Sequence, residues 1–453
     1  MLEFVSLFLG LTWGVQEIEL VATNPAIVQV EVLLDGELEK RLDAPPWKTS
    51  VDLGSLEPHR LAARGLDAAG RELARAEQWI NVPRPPAEAR LVIEQDAAGR
   101  KTHALLSWES VSGNNPRAVE IQLDGVKLEP ADFRRIELPP LDPKELHFLS
   151  AELVFPDTST AHAEASFGGV YGDEVETELT AFPVRTLKKK APLTPLYDCF
   201  QDAGGRSLRV AQVERETAEV LFVRDRGLEP VLARLRVIGS FLPSVEYRGL
   251  RTRSASTPDA LRYELRLEPD DRVRFVWPLL LPSSHPHFRN MALFESSPIL
   301  TARDGGIFYF LTRLYPEKAD GPQHLADAVA LAGLRAAAGG RRRAVVLVLG
   351  EETPEEHSIQ TAAAAQAFLR AMRVPLLVWG KSKGSGQNWP ESQAIESPGL
   401  VARAFRILEA ELDRQRIVWI SGRHLASEIR FDAARCPDFA PLLEPLPATK
   451  VKG

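Results

Sequence analysis

A serine with the spacing of a hydrolase nucleophile lies near the C-terminal third of the chain, in Gly380-Lys381-Ser382-Lys383-Gly384. The pattern Gly-x-Ser-x-Gly after a buried strand is typical of a nucleophile elbow, and residues 374–379 are apolar enough to form such a strand. An elbow also needs a helix directly behind the serine, whereas residues 384–390 have the composition of a loop. The only later histidine is His424. Hydrolysis through Ser382 is therefore a minor alternative.

The same segment does not form a nucleotide-binding loop. A phosphate loop requires another glycine five residues before the glycine of Gly-Lys-Ser, and that position is Pro375. No Gly-x-Gly-x-x-Gly pattern is present to open a dinucleotide-binding helix. No nucleotide cofactor is predicted.

Two groups of residues have side chains that could chelate a metal. The first is His285-Pro286-His287, in which the proline restricts the approach of the two rings and no third ligand is suitably spaced. The second follows the apolar run 344–349 and consists of Glu351, Glu352, Glu355, Glu356 and His357. Solvated loops explain both groups better than metal sites do.

The two cysteines, Cys199 and Cys436, are placed before and after the helix-and-strand region described below. Two cysteines exclude a disulfide framework and a zinc site of the paired Cys-x-x-Cys type. One disulfide could tie the two ends of that region, and two unpaired buried thiols are the alternative.

Composition indicates a folded, multidomain protein. The chain has 453 residues, a net charge of −7 and 44% hydrophobic residues, which favours several domains and gives no electrostatic reason to expect nucleic acid or an anionic membrane as partner. Residues 1–14 are a candidate signal segment, since the apolar run 4–13 has the length of a signal core and is too short to span a bilayer. Its alternative is a first buried strand. We predict an extracytoplasmic protein with no transmembrane span.

The N-terminal half has the pattern of antiparallel strands. Short alternating segments and turn dipeptides such as Asp35-Gly36 predict one immunoglobulin-like domain at 15–84 and a second at 87–185, joined by Pro-Arg-Pro-Pro at 83–86. Residues 30–36 (Val-Glu-Val-Leu-Leu-Asp-Gly) and 119–125 (Val-Glu-Ile-Gln-Leu-Asp-Gly) are similar enough to be the same strand and turn used twice.

Residues 195–440 are predicted to form an α/β domain, followed by a tail at 441–453. Six apolar residues at 344–349 leave no polar face, so this strand must be covered on both sides, as in a parallel sheet. Helices and strands alternate around it, with helices predicted at 325–338, 358–372 and 398–412 and strands at 218–223, 273–281, 308–314, 374–379 and 417–420.

This order of parts resembles a von Willebrand factor A domain, and especially the von Willebrand factor A-related family known chiefly from acidobacteria. Residues 221–225 (Leu-Phe-Val-Arg-Asp) stand where the family's first strand ends in Asp-x-Ser-x-Ser. Residues 321–328 are similar to the start of its central helix, 342–352 to the strand ending in Ser-Asp-Gly, and 400–412 to its last helix. The resemblance implies two immunoglobulin-like β-sandwiches followed by a doubly wound von Willebrand factor A-like α/β domain.

The resemblance also implies a metal-ion-dependent adhesion site, which binds Mg²⁺ through hydroxyl and carboxylate oxygens. Asp225 retains the family's aspartate, but the other positions differ: they hold Gly227, Glu229, Gln323 and the pair Glu351-Glu352. We therefore predict a degenerate site without Mg²⁺ or another cofactor. What remains is a protein-binding rim formed by Asp225, Gln323, His324, Glu351 and Glu352.

The leading functional hypothesis is a non-catalytic exported protein that binds another protein through its von Willebrand factor A-like domain. The alternative from a different class is a structural subunit of a cell-envelope assembly, whose partners are the other subunits. Neither hypothesis includes an enzymatic activity or a nucleic-acid partner.

Overall fold

The computed structural model describes residues 2–4, 6, 8, 11–22, 24–83, 87–95, 101–110, 115–142, 146–155, 160–168, 179–188, 191–225, 246–247, 250–251, 267–280, 294–301, 307–312, 322–350, 355–381 and 388–443. The chain forms two compact units, Met1–Pro83 together with Thr180–Gly453, and Arg84–Leu179. Among the described residues, no helix is long and apolar enough to cross a membrane.

The first unit begins with a β-sandwich. Its strands are β1 Leu2–Phe4, β2 Val15–Ala22, β3 Gln29–Leu34, β4 Glu37–Leu42, β5 Lys48–Asp52, β6 His59–Leu66 and β7 Glu72–Ile80. They form one sheet in the order β1-β2-β5 and another in the order β4-β3-β6-β7. Alternating residues such as Ile18, Val32 and Leu61 bury one core between the sheets. Strand β1 lies within the candidate signal segment and pairs antiparallel with β2; cleavage of that segment stays a prediction.

The second unit is another β-sandwich. Its strands are β8 Ala87–Gln95, β9 Lys101–Ser110, β10 Ala118–Leu123, β11 Val126–Leu128, β12 Arg135–Glu137, β13 Leu146–Val154 and β14 Thr160–Gly168. The sheets have the orders β12-β9-β8 and β11-β10-β13-β14. Leu91, Leu106, Ile121 and Leu149 belong to the core that both sheets share. The prediction of antiparallel strands throughout the N-terminal half is confirmed.

The remaining part of the first unit contains both helices and strands. The strands are β15 Leu179–Thr186, β16 Phe200–Gln201, β17 Val210–Glu214, β18 Ala218–Arg224, β19 Glu246–Tyr247, β20 Leu250–Arg251, β21 Arg272–Leu280, β22 Phe294–Ser296, β23 Leu300–Thr301, β24 Arg342–Val348, β25 Leu376–Gly380, β26 Gln393–Ala394, β27 Gln415–Ser421, β28 Arg430–Phe431 and β29 Phe439–Pro441. The helices are α1 Ile307–Thr312, α2 Leu325–Ala338, α3 Ala362–Ala371 and α4 Pro398–Asp413, with a 3-10 turn at Thr194–Asp198.

Strand β24 occupies the middle of a parallel sheet. Neighbouring strands run β21-β18-β24-β25-β26 and pair in parallel, while β22 and β23 pair antiparallel with β21. All seven residues of β24 are buried. Val346 packs on one face with residues of α1 and α4, and Val345 and Leu347 pack on the other with residues of α2 and α3. The prediction that this run has no exposed face is therefore confirmed.

Three sequence predictions about this region are wrong. Residues 308–314 were expected to form a strand but lie largely in α1. The predicted parallel strand at 417–420 is β27, which pairs antiparallel with β17 in a separate sheet of order β17-β27-β15-β29. Strand β15 also belongs to that sheet, whereas the second immunoglobulin-like domain was predicted to extend to residue 185. Local sequence predicted the elements, but distant pairing partners decided the sheet to which each belongs.

The antiparallel sheet has its own core, which contains the disulfide between Cys199 and Cys436. Their Cα atoms lie 6.2 Å apart and both residues are fully buried. Phe182, Phe200 and Phe439 pack in the same cluster. The disulfide therefore joins the segment before β16 to the segment before β29.

The first sandwich packs against the rest of its unit. Leu11 and Leu56 join the apolar cluster that contains α2 and α3. Arg60 Nη2 lies 3.3 Å from Glu428 Oε1, and the Arg423 guanidinium lies 4.9 Å from the centre of the Trp79 ring. Apolar, ionic and cation–π contacts thus hold this sandwich in place.

Candidate functional site

The carboxyl edge of the parallel sheet is where the geometry places a candidate site. The chain passes from β18 to β21 on one side and later to β24 on the other, so the strand order reverses between β18 and β24. Open α/β sheets bind ligands in the crevice at such a reversal, outside the carboxyl ends of the strands. The residues that follow β18 and β24 therefore border this crevice.

Asp225 follows β18 at this reversal and is 4% exposed. Its backbone N–H donates to the Val348 carbonyl at 2.8 Å, and its Oδ2 accepts from the Gly350 N–H at 2.9 Å. Asp225 therefore joins the ends of β18 and β24. The sequence predicted Asp225 as part of a protein-binding rim, whereas in the structure this carboxylate is buried and accepts a backbone N–H bond.

Gln323 precedes helix α2 and is 1% exposed. Its backbone N–H donates to the Glu355 carbonyl at 3.2 Å, and its own carbonyl accepts from the His357 N–H at 2.8 Å. Within the described part of the chain, the side-chain oxygen Oε1 has no hydrogen-bond partner. Gln323 thus places the segment before α2 beside the loop at 355–361, which we name the carboxyl-edge loop.

The carboxyl-edge loop caps the N-terminus of α2. Glu356 Oε1 accepts from the Leu325 N–H at 2.9 Å, and Ser358 Oγ accepts from the N–H groups of Ala326 and Asp327 at 2.9 and 3.2 Å. These are helix-terminal N–H groups that no carbonyl of the helix can satisfy. Because the loop uses them, this helix end does not offer an open anion site.

Asp327 fixes the loop from the other side. The carboxylate is buried and accepts from the N–H groups of Ile359 and Gln360, both at 2.9 Å. His324 Nδ1 lies 3.6 Å from Asp327 Oδ2. Asp327 was not predicted as a site residue, although an acidic residue in the first turn of a predicted helix is a recognisable signal. No local signal indicates which loop it would bind.

The outer side of the carboxyl-edge loop is exposed. Ile359 is 67% exposed, and the side chain of Glu355 is 80% exposed. His357 Nε2 lies 2.7 Å from Glu355 Oε1. A rigid backbone therefore presents an apolar side chain beside acidic and imidazole groups.

The described donors do not fit Mg²⁺. The carboxylates of Asp225, Asp327 and Glu356 each accept backbone N–H bonds. The Gln323 amide oxygen is a buried potential metal ligand that has no hydrogen-bond partner among the described residues. Mg²⁺ requires near-octahedral coordination by oxygen ligands. Among the described residues, no group of three or more His, Cys, Asp or Glu side chains could hold a metal ion. Gly227, Glu229, Glu351 and Glu352 lie outside the described residues, so a chain without Mg²⁺ stays a prediction.

Of the residues with other possible chemistry, the structure describes His424. Ser382, His285 and His287 lie outside the described residues. His424 follows β27 of the antiparallel sheet, and its Nε2 lies 3.0 Å from the Ser421 carbonyl oxygen.

Buried charged residues also lie at the amino edge of the parallel sheet. Arg342 is 1% exposed and lies 2.9 Å from Glu268 and 3.3 Å from Asp271. Burial raises the pKa of Asp271, against the opposing effect of the Ala218 N–H and Arg342. Burial, together with nearby Arg373, lowers the pKa of Arg343 to about 10. These groups bond one another and nearby backbone.

Comparison with protein-family models and with curated proteins finds no match. Among solved structures, the fibronectin(III)-like modules of Clostridium thermocellum CbhA share 15% identity with 18% of this chain and 93% of their own, at a TM-score of 0.16. The central fibronectin-III array of RIM-binding protein shares 16% identity, covering 44% of this chain and 78% of that one, at a TM-score of 0.21. A bacterial ice-binding adhesin shares 10% identity, covering 42% and 68%, at a TM-score of 0.15. At these TM-scores the likenesses carry no argument about fold or function.

Proposed function

We propose that this chain is a non-catalytic, exported protein that binds a basic surface of another protein through its carboxyl-edge loop. In this proposal two immunoglobulin-like sandwiches accompany a doubly wound, von Willebrand factor A-like domain with a degenerate metal site. Support for the domain assignment comes from the parallel strand order, the helices on both faces and the position of Asp225. Support for export comes from the buried disulfide, which is typical of oxidising compartments.

The observation that carries the binding proposal is the way the loop is held. Asp327, Glu356 and Ser358 tie its backbone to the first turn of α2 through side-chain bonds of 2.9 to 3.2 Å. A loop fixed before binding loses little conformational freedom when a partner docks. Exposed Ile359 then supplies apolar area, and exposed Glu355 supplies the charge that selects a basic partner.

The proposed contact is direct and does not pass through a cation. The carboxylates of Glu356 and Asp327 lie at the helix end, and both accept hydrogen bonds from backbone N–H groups. A partner arginine or lysine therefore meets Glu355 without a bridging ion. Exposed ion pairs contribute little affinity individually but increase the association rate.

Site-specific photocrosslinking tests this proposal. A benzophenone amino acid replaces Ile359 in one protein and Val126 in another, because both residues are 67% exposed and Val126 lies in the second sandwich. Irradiation in the extracytoplasmic fraction of the host, with and without EDTA, is followed by mass spectrometry. We expect one adduct from position 359, unchanged by EDTA and reduced several-fold by Glu355→Lys.

Two results would contradict the proposal. Equal crosslinking from positions 359 and 126 would show that the loop is not a preferred contact. Loss of the adduct in EDTA with recovery in millimolar Mg²⁺ would show that a cation-dependent site survives. One partner crosslinked from both positions at fixed stoichiometry would instead favour a structural subunit of a larger assembly.

A further inference from the structure

The two sandwiches contain one four-stranded sheet in equivalent form. The orders β4-β3-β6-β7 and β11-β10-β13-β14 correspond, and the registers agree: Val32 pairs with Ala63 as Ile121 pairs with Ala151. In this alignment Glu31 corresponds to Glu120, Arg60 to Phe148 and Arg64 to Glu152. The outer faces of the two sheets can therefore be compared position by position.

Other residues of the first unit cover the outer face of the first sandwich and form ion pairs with its charged side chains. Trp79 is 5% exposed beneath Arg423, and Arg60 reaches Glu428. Glu31 lies directly opposite Arg64, with Arg64 Nη2 2.8 Å from Glu31 Oε2, and it also binds Arg41. This face is therefore a docking surface that the rest of the same unit already occupies.

The equivalent face of the second sandwich carries an exposed aromatic side chain and two exposed carboxylates. Phe148 is 58% exposed. Glu120 lies directly opposite Glu152, both are exposed, and neither makes an ion pair with any described residue. Like charges directly opposite on adjacent strands are destabilising. A partner could place an arginine beside Glu120 and Glu152 and an apolar side chain against Phe148. In the first sandwich, residues of the same unit make the corresponding ion pairs with Glu31 and cover Trp79.

The outward side of helix α4 has the complementary chemistry. A shallow cleft of about 360 Å³ is lined by Arg403, Arg406, Ile407, Ala410, Glu411 and Arg414. Glu411 is paired with Arg185 at 2.5 Å. Arg403 and Arg414 are exposed and have no ion-pair partner among the described residues, and Ile407 between them is 40% exposed. These three residues lie on one side of the helix, because they are spaced by four and seven positions.

We propose that the outer face of the second sandwich, formed by Glu120, Phe148 and Glu152, binds the Arg403–Ile407–Arg414 face of a second copy of this chain. Glu120 lies beside Glu152, about 13 Å along the strand from Phe148, and Arg414 lies about 10 Å along the helix from Ile407, so Arg414 can approach the glutamate pair when Ile407 contacts Phe148. Arg403 lies about 6 Å from Ile407 in the opposite direction and adds positive charge at the other end of the contact. Each copy uses two different surfaces, so the association is head-to-tail and forms rings or open chains. The small area makes it weak and concentration-dependent.

A charge-swap experiment on the full chain tests this assembly by sedimentation velocity over a concentration series. Glu120→Arg with Glu152→Arg makes one variant, and Arg403→Glu with Arg414→Glu makes the other. We expect wild type to associate, each variant alone to weaken association more than tenfold, and an equimolar mixture of the two to associate again. Glu37→Arg with Glu39→Arg, an equal charge change on the exposed strand β4 of the first sandwich, should leave association intact.

Restored association in the mixture also demonstrates that both variants are folded, and matching thermal melts provide a second check. The proposal is overturned if wild type stays monomeric throughout the series, if either variant alone associates like wild type, or if the mixture fails to associate. None of these results depends on the carboxyl-edge loop, whose function the crosslinking experiment tests separately.

Discussion

The two β-sandwiches have the same hairpin but different surroundings. In the first, Asp35 has a φ of 51°, and its carboxylate accepts from the Arg60 N–H and contacts His59 Nδ1, both at 2.8 Å. In the second, Asp124 also has a φ of 51°, and its carboxylate binds the Phe148 N–H and His147 Nδ1 at the same distances. The turn is thus determined locally, because a short polar side chain tolerates positive φ and bonds nearby backbone.

What differs is the outer face. Trp79 of the first sandwich is buried against Arg423, whereas Phe148 of the second is largely exposed. Equivalent strands can therefore serve as an internal interface in one unit and as an open surface in the other. The side chains that point away from each core determine which of these two roles a sheet has, since the strands of the two sandwiches have similar pairing and register.

The largest expected difference between the units comes from the disulfide. Cys199→Ser with Cys436→Ser opens a loop with a sequence separation of 237, which by chain entropy should destabilise the first unit by about 5 kcal/mol at most. The second unit should be unaffected, because both cysteines lie outside it. Hydrogen exchange with mass spectrometry resolves the two units. Equal loss of protection in both would show that their stabilities are coupled.

A smaller difference is expected from the outer faces. Trp79→Ala should destabilise the first unit by about 3 kcal/mol, because it removes a buried aromatic ring and its contact with Arg423. Phe148→Ala removes an aromatic ring from the outer face of the second sandwich and should shift stability by less than about 1 kcal/mol, since the side chain is exposed. Urea unfolding followed by hydrogen exchange measures both. Equal costs would mean that Phe148 is covered in solution.

The hydrogen bonds that Asp35 and Asp124 make at the two hairpin turns should contribute equally to the stability of the two units. Asp35→Ala and Asp124→Ala each remove hydrogen bonds to a histidine and a backbone N–H, and each places alanine at positive φ, so each should cost about 2 kcal/mol. Asparagine at either position is the control, because it tolerates the same φ and keeps one acceptor. A cost confined to one unit would show that the contribution of these hydrogen bonds depends on their surroundings.

The smallest expected effect is on acid stability. Hydrogen bonds from Arg41, with the charge of Arg64, lower the pKa of Glu31, and the Phe148 N–H with His147 lowers the pKa of Asp124. A lowered folded-state pKa gives stabilisation that is present above the ordinary carboxyl pKa of about 4 and is lost as the pH falls through the folded value. Glu31→Gln should flatten this loss in the first unit and Asp124→Asn in the second, as measured by unfolding between pH 2 and 6. Unchanged slopes would contradict the assignment.

Sequence was sufficient where one physical requirement dominated. The run at β24 had to be buried on both sides because it has no polar residue between Ala344 and Leu349. Helix α2 was predicted with the bounds that the structure has, since its apolar spacing and flanking Gly339 leave no other element there. The repeated Val-Glu-x-x-Leu-Asp-Gly indicated two equivalent hairpins. Each of these signals lies within about a dozen neighbouring residues.

The sequence predicted that Asp225 and Gln323 lie at the carboxyl edge of the parallel sheet, but it did not identify what holds the carboxyl-edge loop. Asp327 and Ser358 are separated by 31 residues, and their pairing depends on how α2 approaches the end of β24. In the sequence, a buried acidic residue that binds two backbone N–H groups looks the same as an exposed acidic residue in the first turn of a helix. Only the tertiary contact distinguishes them.

The sequence by itself determined the local elements of this protein: the buried central strand, the helices beside it and the two Asp-Gly turns. Tertiary structure decided the assembly of those elements, because hydrogen bonding between strands does not depend on residue type. It placed β27 and β15 in an antiparallel sheet with β17 and β29, brought Cys199 to Cys436, and covered the outer face of only the first of two equivalent sheets. Those outcomes depend on which distant surfaces meet, and the alternation of apolar and polar residues along one segment carries no information about its partner.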